Sequence, residues 1–365
     1  MRPLRPAPSH LVPSRPVRSR LVPALLAALT MALAACGGGG GGGGDSAAAG
    51  AAVPDVPAPP VVAAPAPSSD VPGSTYAAGS DALAAWTYLQ RARVQCGFGA
   101  LAQNAQLDAA SRAHANYLIV ESAGTTPIAG HGEPNGNNVF FTGNSPSDRA
   151  VQAGYGPRVV EILSASIEVY GPNTSRVQPS AAVRGERAMR SLLNSVAHLS
   201  AAASGARVIG IGAQTSSREE GSANTLTVNH RLGALLGLAE GTQLLGAGQV
   251  ASYPCAGSVD IDYAFAPATE EPNPFPEITN RTVEVGPPIY LRADAGATLS
   301  VTARSLKDAA GVEQPVRTAV GPIAGHEFFM VPATRLAPGA TYTVNIVGSA
   351  NGVAFDRSFS FKTRS

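Results

Sequence analysis

The feature that most constrains the fold of this chain is a low-complexity segment that runs from Gly37 to about Thr75. It begins with eight consecutive glycines and continues as a tract rich in alanine and proline. Glycine runs behave as flexible coil and proline-rich runs as stiffer, extended spacers, and neither supplies side chains for a core. The chain of 365 residues must therefore build its core after about Ser80, which leaves room for two domains of about 150 residues each.

An export signal is predicted before this segment. Five arginines precede an apolar run from Leu21 to Ala34, which is too short to span a bilayer. The letters LAAC end the run at Cys36 and resemble the lipobox of bacterial lipoproteins, in which the cysteine carries acyl chains such as palmitate. This resemblance implies that residues 1–35 are removed and that a lipid anchor holds the protein at the bacterial cell envelope. The outer membrane is favoured because Gly37 rather than Asp follows the cysteine, and an ordinary signal peptide with a chance cysteine is the alternative.

Charge and motif content exclude several classes of function. The chain has 26 basic and 25 acidic side chains, and loss of the five signal arginines leaves 21 basic ones against 25, a net charge of −4. A mildly acidic protein lacks the basic surface that nucleic acid requires, so no nucleic-acid partner is expected. The sequence contains no HExxH or paired CxxC zinc motif, no phosphate-binding glycine loop and no GxSxG nucleophile motif.

The three cysteines allow one intramolecular disulfide. If Cys36 carries lipid, Cys96 and Cys255 remain as an even pair in an oxidising compartment, and we expect them to be joined. Two free buried thiols are the alternative.

Helix and strand patterns alternate in the part of the chain after Ser80. Capping residues predict helices that follow Ser80, Asn104 and Ser145, and a further helix covers 183–194. The segments VVEILSAS, RVIGIGAQ and TLTVNH are predicted strands, and the last two are expected to pair as an antiparallel hairpin. Helices mixed with a few antiparallel strands indicate an α+β layered domain over 80–249.

Clustered prolines mark a connector over 250–280, which leaves 36–79 as the tether that precedes the first domain. Beyond the connector the pattern is strand only, with short runs such as TLSVTAR and EFFMVP. The dipeptide Asn351-Gly352 is a strong signal for a hairpin turn. We therefore predict an Ig-like β-sandwich over 281–365.

Five segments of the first domain follow one another in a recognisable order. They are LQRARVQCGFGALAQNAQLDAASRAHANYL, GHGE, DRAVQAGYGPRVVEILSAS, MRSLLNSVAHLSAA and RVIGIGAQ. Their order and spacing resemble the secreted bacterial branch of the CAP superfamily, which comprises cysteine-rich secretory proteins, antigen five and pathogenesis-related proteins. The resemblance covers 80–249 and implies an α-β-α sandwich with a small antiparallel sheet. The predicted architecture is thus a CAP (SCP-like) sandwich followed by an Ig-like β-sandwich.

The same resemblance implies a cleft lined by two histidines and two acids. Its motifs place His131, Glu161 and His198 at three of these positions, and no clear second acid is present. Glu133 and Glu186 are candidates for it on charge alone. Two neutral imidazoles and one carboxylate form an incomplete ligand set, so the expected cofactor is at most a weakly bound divalent metal such as zinc.

Three functions remain open from the sequence. The favoured one is a non-enzymatic, surface-tethered binding module whose His/Glu cleft takes a lipid, another small apolar ligand or a divalent metal. A metal-assisted hydrolase with Glu161 as general base is the first alternative, and a structural component of the envelope is the second. Ser195 stands three residues before His198, but proximity in sequence does not make a catalytic triad. His114 lies on the apolar face of its predicted helix and is expected to be a core residue.

Overall fold

The computed structural model describes residues 67–122, 130–220, 224–319 and 323–365. The predicted signal peptide, Cys36 and most of the tether lie outside these residues. All described residues belong to one compact unit, Val61–Ser365. The helices are α1 (Asp81–Gln95), α2 (Ala105–Glu121), α3 (Pro146–Gln152), α4 (Ala181–Leu193) and α5 (Val196–Ala202). The strands are β1 (Ala102–Gln103), β2 (Val159–Tyr170), β3 (Val208–Glu220), β4 (Thr225–Gly237), β5 (Ala251–Tyr253), β6 (Ser258–Ile261), β7 (Ile289–Arg292), β8 (Leu299–Asp308), β9 (Val316–Thr318), β10 (Glu327–Pro332), β11 (Thr341–Ala350) and β12 (Val353–Thr363).

The first three helices begin at the predicted caps. The Ser80 side chain accepts the backbone N–H of Leu83 at the start of α1, and the Asn104 side chain accepts two backbone N–H groups at the start of α2. Ser145 and Asp148 form a reciprocal capping box at the start of α3. Each cap satisfies backbone donors that a helix cannot satisfy internally, so these predicted helix starts are confirmed.

The first sheet has the strand order β1-β3-β4-β2. Strands β3 and β4 form the predicted antiparallel hairpin, and β2 pairs with the other side of β4. Helix α2 crosses β3 so closely that a Cβ atom on Gly210 would lie 2.1 Å from the backbone nitrogen of Asp108, and one on Gly212 would lie 2.1 Å from that of Arg112. The absence of side chains at these two positions is what allows the helix to lie against the strand.

The opposite face of this sheet packs against α1 and α4. Buried apolar side chains from both helices and from the sheet form one cluster, to which Leu89, Met189, Ile209 and Leu232 belong. The two helices approach closely at Gly185, where a Cβ atom would meet the backbone of the first residue of α1. Helix α5 follows α4 after a short turn and contacts β2. This packing holds α5 near the buried residues of β2.

Two further four-stranded sheets, with the orders β5-β7-β10-β9 and β6-β12-β11-β8, complete the described chain. Strands β11 and β12 are joined at Asn351 and Gly352, whose φ angles of 50° and 78° fit the predicted hairpin turn. Strands β5 and β6 come from the segment that the sequence suggested was a connector. β6 pairs in parallel with the last strand of the chain, so residues 258–261 join the C-terminal strands in one sheet.

The predicted fold class, a CAP α-β-α sandwich followed by an Ig-like β-sandwich, is wrong for this chain. The described residues form a mostly β structure with 12 strands in three sheets and only five α-helices. The physical reason is that the matched motifs were single helices and strands, which many architectures share. Local patterns of this kind fix an element's type, whereas the number of sheets and their pairing depend on contacts between distant residues.

Cys96 and Cys255 form the predicted disulfide, with 5.4 Å between their Cα atoms, and tie the end of α1 to the turn before β6. Within the described ranges, no helix has both the length and the apolar character needed to cross a bilayer.

Candidate functional site

Glu161 lies at the centre of the candidate site. It is carried by β2, and its side chain is only 2 % exposed. One carboxylate oxygen accepts a hydrogen bond from Arg149 Nη2 at 2.7 Å, and the other lies 2.8 Å from His131 Nδ1. Burial alone would raise the pKa of Glu161, but the hydrogen bond from His131 and the charge of Arg149 hold it below its usual value. Glu161 is therefore an ionised, fully engaged carboxylate.

His131 lies beside Glu161 on the loop that precedes α3. Because Nδ1 faces an ionised carboxylate, which can only accept, this nitrogen carries the proton. In the neutral form of this ring, the lone pair is on Nε2. The side chain is 47 % exposed, so Nε2 is open to a ligand.

Arg149 is the residue that organises this half of the site. The capping box at the start of α3 places it in the interior, where its side chain is fully buried. Besides its bond to Glu161, it donates from Nη1 to the backbone oxygen of His131 at 3.0 Å, and its Nε lies 3.7 Å from Glu133. Arg149 thus fixes the backbone of one cleft residue and the side chain of another. The sequence reading did not single it out.

Glu133 is fully buried, and both of its carboxylate oxygens are engaged inside the protein. One oxygen lies 2.8 Å from Nδ1 of His114, and the other accepts the backbone N–H of Thr142 at 2.8 Å. His114 is itself completely buried, as predicted for a core histidine, and its Nε2 lies 3.0 Å from the backbone oxygen of Gly130. Glu133 therefore anchors the loop that carries His131 to α2. The other acid chosen on charge alone, Glu186, lies on α4 and pairs with Arg190.

His198 forms the other half of the site. It lies on α5, and its ring centroid is 6.3 Å from that of His131. Its Nδ1 is 2.8 Å from the hydroxyl oxygen of Ser195, and 22 % of its side chain is exposed. Burial and then the nearby charge of His131 lower the pKa of His198 from 6.5 to about 4. The structure therefore brings His131, Glu161 and His198 together, with His198 neutral at physiological pH.

Glu270 is a second acid of the site that the sequence reading missed. It follows a short 3-10 turn in the segment after β6, and it accepts the backbone N–H groups of Val196 and Ala197 at the start of α5. One of its oxygens lies 3.9 Å from His198 Nδ1. Burial raises the pKa of Glu270, although its hydrogen bonds from backbone N–H groups oppose that shift. No signal in its proline-rich surroundings pointed to this contact.

The arrangement of Ser195, His198 and Glu270 is not a catalytic triad. In a triad the nucleophile bonds to one ring nitrogen of the histidine and the acid to the other. Here the Ser195 oxygen and the nearer Glu270 oxygen both lie on the Nδ1 side of the ring. The chemistry that the site offers is instead two neighbouring imidazoles, each with Nδ1 engaged. In the described part of the chain, no group of three or more His, Cys, Asp or Glu residues is placed to hold a metal ion.

Comparison with known proteins gives no family for this chain. No family model matches it, and no curated protein matches it. Among solved structures, CopC from Methylosinus trichosporium OB3b is similar to 32 % of this chain and 94 % of its own, with 15 % identity and a TM-score of 0.21. A DUF4426 family protein from Pseudomonas aeruginosa PAO1 is similar over 33 % and 90 %, with 18 % identity and a TM-score of 0.23.

These findings correct the predicted membership in the CAP superfamily. No family model matches the chain, and the strand-rich architecture described above differs from the predicted sandwich. The resemblance rested on five short segments, each weak alone, and it therefore assigns neither a family nor an activity here. The positions of His131, Glu161 and His198 are consequently argued from their own geometry.

Proposed function

We propose that this protein is a non-enzymatic binding protein in which His131 and His198 together bind one divalent transition-metal ion, such as Zn²⁺, with modest affinity. The observation that supports this proposal is the pair of imidazoles whose ring centroids lie 6.3 Å apart, each with its Nδ1 held by a partner. A carboxylate on the far ring nitrogen is the usual arrangement around a metal-binding histidine, because it fixes the tautomer and orients the ring. His131 and Glu161 have this arrangement.

The geometry also accounts for the expected weakness of binding. Two imidazoles bound to one zinc ion at bond lengths of about 2 Å bring their ring centroids to roughly 5 Å in a tetrahedral site. The rings of His131 and His198 must therefore approach by about 1 Å, and the half-exposed side chain of His131 has room to rotate. Only two protein ligands are offered, whereas established zinc sites use three or four. Water molecules would complete the coordination.

The hydrolase alternative and a binding module for an apolar ligand both fit these residues less well. A hydrolase with Glu161 as general base would need a carboxylate that reaches water, but both Glu161 oxygens are engaged and the side chain is buried. A small apolar ligand would need an apolar cavity. Two clefts in the described part of the chain, of about 310 and 260 Å³, are lined by other residues, the first by α1 and α4 and the second by the segments around Gly248 and Asp294.

The proposal is tested by titrating the purified protein with ZnCl₂ in a calorimeter after chelator treatment. We expect one ion per chain, and we expect His131→Ala and His198→Ala each to weaken binding at least tenfold. His326→Ala is the matched control, because His326 lies at the start of β10 and is expected to leave binding unchanged. Equal affinity of His131→Ala and the parent protein would refute the shared site. Zinc-dependent peptide hydrolysis that His131→Ala abolishes would instead favour the hydrolase.

The cellular setting is proposed on the sequence alone. A lipid on Cys36 would hold the folded part at the cell envelope through the segment rich in glycine, alanine and proline. Cys36→Ser should then release the protein from the membrane fraction without changing its melting temperature. Membrane association that still requires detergent in this variant would argue against the anchor.

A further inference from the structure

The hydrogen bonds around Ser195 determine which nitrogen of His198 carries its proton. The Ser195 oxygen lies 2.8 Å from His198 Nδ1 and 3.2 Å from the backbone oxygen of Leu192. The carboxylate of Glu270 lies on the same side of the ring, with one oxygen 3.9 Å from His198 Nδ1. A serine hydroxyl has a single hydrogen to donate, but it can accept from two directions.

The Leu192 backbone oxygen can only accept, so it takes the single hydroxyl hydrogen of Ser195. The Ser195 oxygen is then left as an acceptor, and His198 must donate to it from Nδ1. In the opposite arrangement, Ser195 would donate to His198, leave the Leu192 oxygen without its hydrogen, and turn the Nδ1 lone pair towards the Glu270 carboxylate.

Glu270 is held firmly enough to impose this order. Its side chain is 3 % exposed, and its two oxygens accept one backbone N–H group each at the start of α5. The segment that carries it is fastened independently, since the side chain of Asn194 donates to the backbone oxygen of Ala264 at 2.7 Å. Ser195 makes no capping bond of its own, so Glu270 supplies the cap of α5.

We propose that Ser195 and Glu270 are positioning residues that together fix His198 as the Nδ1–H tautomer and so present its Nε2 lone pair to a ligand. This inference rests on the proposed function, because it explains how the second imidazole of that metal site is prepared. Glu161 does the same for His131 by direct contact. The site thus depends on an acid from the segment between β6 and β7, in addition to the residues on β2, α5 and the loop before α3.

The decisive variant is Ser195→Ala, which removes the hydroxyl that accepts from His198 Nδ1 but leaves the cap of α5 in place. Ser200→Ala is the matched control, because Ser200 lies on the same helix and donates to a half-buried acid, Glu327, at 2.6 Å. Loss of an outer partner of a metal-binding histidine typically weakens metal affinity about tenfold or more. We expect Ser195→Ala to weaken ZnCl₂ binding by this amount. Ser195→Thr keeps a hydroxyl and should bind ZnCl₂ like the parent protein. Ser200→Ala should have an affinity within about twofold of the parent.

A second measurement needs no metal. Long-range ¹H–¹⁵N NMR of the imidazole rings at pH 7 should show His198 as the Nδ1–H tautomer in the parent protein and in Ser200→Ala. Ser195→Ala should shift it towards the Nε2–H tautomer, which a purely structural loss would not do. An Nε2–H tautomer in the parent protein, or an unchanged tautomer in Ser195→Ala, would overturn the inference. Failure of the parent protein to bind zinc would refute the proposed function, and the tautomer measurement would still decide the role of Glu270.

Discussion

Replacement of Arg149 by methionine should be among the most destabilising single changes in the described part of the chain. The side chain is fully buried and lies between two buried acids, 2.7 Å from Glu161 and 3.7 Å from Glu133. Removal of one partner of a buried ion pair typically costs about 3–5 kcal/mol, because it leaves a charge with no compensation. For a chain of this size each kcal/mol lowers the melting temperature by about 2–4 °C, so a fall of roughly 10 °C is expected.

The experiment compares urea unfolding of Arg149→Met with that of two other variants. Fluorescence of Trp86, the single tryptophan of the chain, and circular dichroism report the transition. The double variant Arg149→Met, Glu161→Gln should recover part of the loss, since it removes the uncompensated charge. Arg187→Met is the control, because Arg187 is 58 % exposed and pairs with Glu168 only at 3.9 Å, so less than about 1 kcal/mol is expected. A loss under about 1 kcal/mol for Arg149→Met would refute this account of the buried cluster.

Three further predictions concern the fold and its response to pH. Cys96→Ala opens a loop with a sequence separation of 159 and should lower the free energy of unfolding by at most about 5 kcal/mol, as measured by urea unfolding with and without reductant. Gly212→Ala should cost about 1–3 kcal/mol in the same assay because its Cβ would press on α2, whereas Gly171→Ala, which meets open space, should cost much less. The pKa of His198 is lowered to about 4, so the neutral ring is favoured in the folded state. The lowered pKa of His198 should contribute about 3 kcal/mol to the free energy of unfolding. This contribution should be complete above about pH 6.5 and lost as the pH falls towards 4. His198→Asn should remove this dependence in metal-free protein, and an unchanged pH profile would contradict it.

Local signals in the sequence predicted individual elements well. The caps at Ser80, Asn104 and Ser145 act through hydrogen bonds within three residues of the cap, so the sequence alone contains the whole interaction. The turn at Asn351-Gly352 depends only on backbone angles that these two residues adopt readily. Elements of this kind are predictable because their stabilising contacts are local.

The architecture was not predictable in the same way. Strands β5 and β6 are three and four residues long and lie near prolines, so nothing local marked them as sheet members. Their place is set by pairing with β7 and β12, which are distant in sequence. The five motifs that suggested a CAP fold carried no information about these pairings, and the predicted architecture failed at this level.

The candidate site shows the same difference between what local sequence indicates and what only the folded chain determines. His131, Glu161 and His198 were chosen from three separate segments, and the structure places them together. Glu133 was a candidate on charge alone, and charge does not say which way a side chain faces; its carboxylate is used inside the protein.

Glu270 shows why the supporting residues of a site are harder to predict than the residues that face a ligand. An exposed histidine between two glycines is unusual in itself, because nothing local satisfies its ring. A glutamate in a proline-rich segment looks like any solvated charge. Glu270 acquires its role only when that segment folds back on α5, where it binds the backbone of Val196, 74 residues earlier in the chain. The first kind of residue differs from its local background, whereas the second acquires its environment only from the folded chain. Residues such as Glu270 and Arg149, which hold other side chains in place, therefore have to be found in the structure.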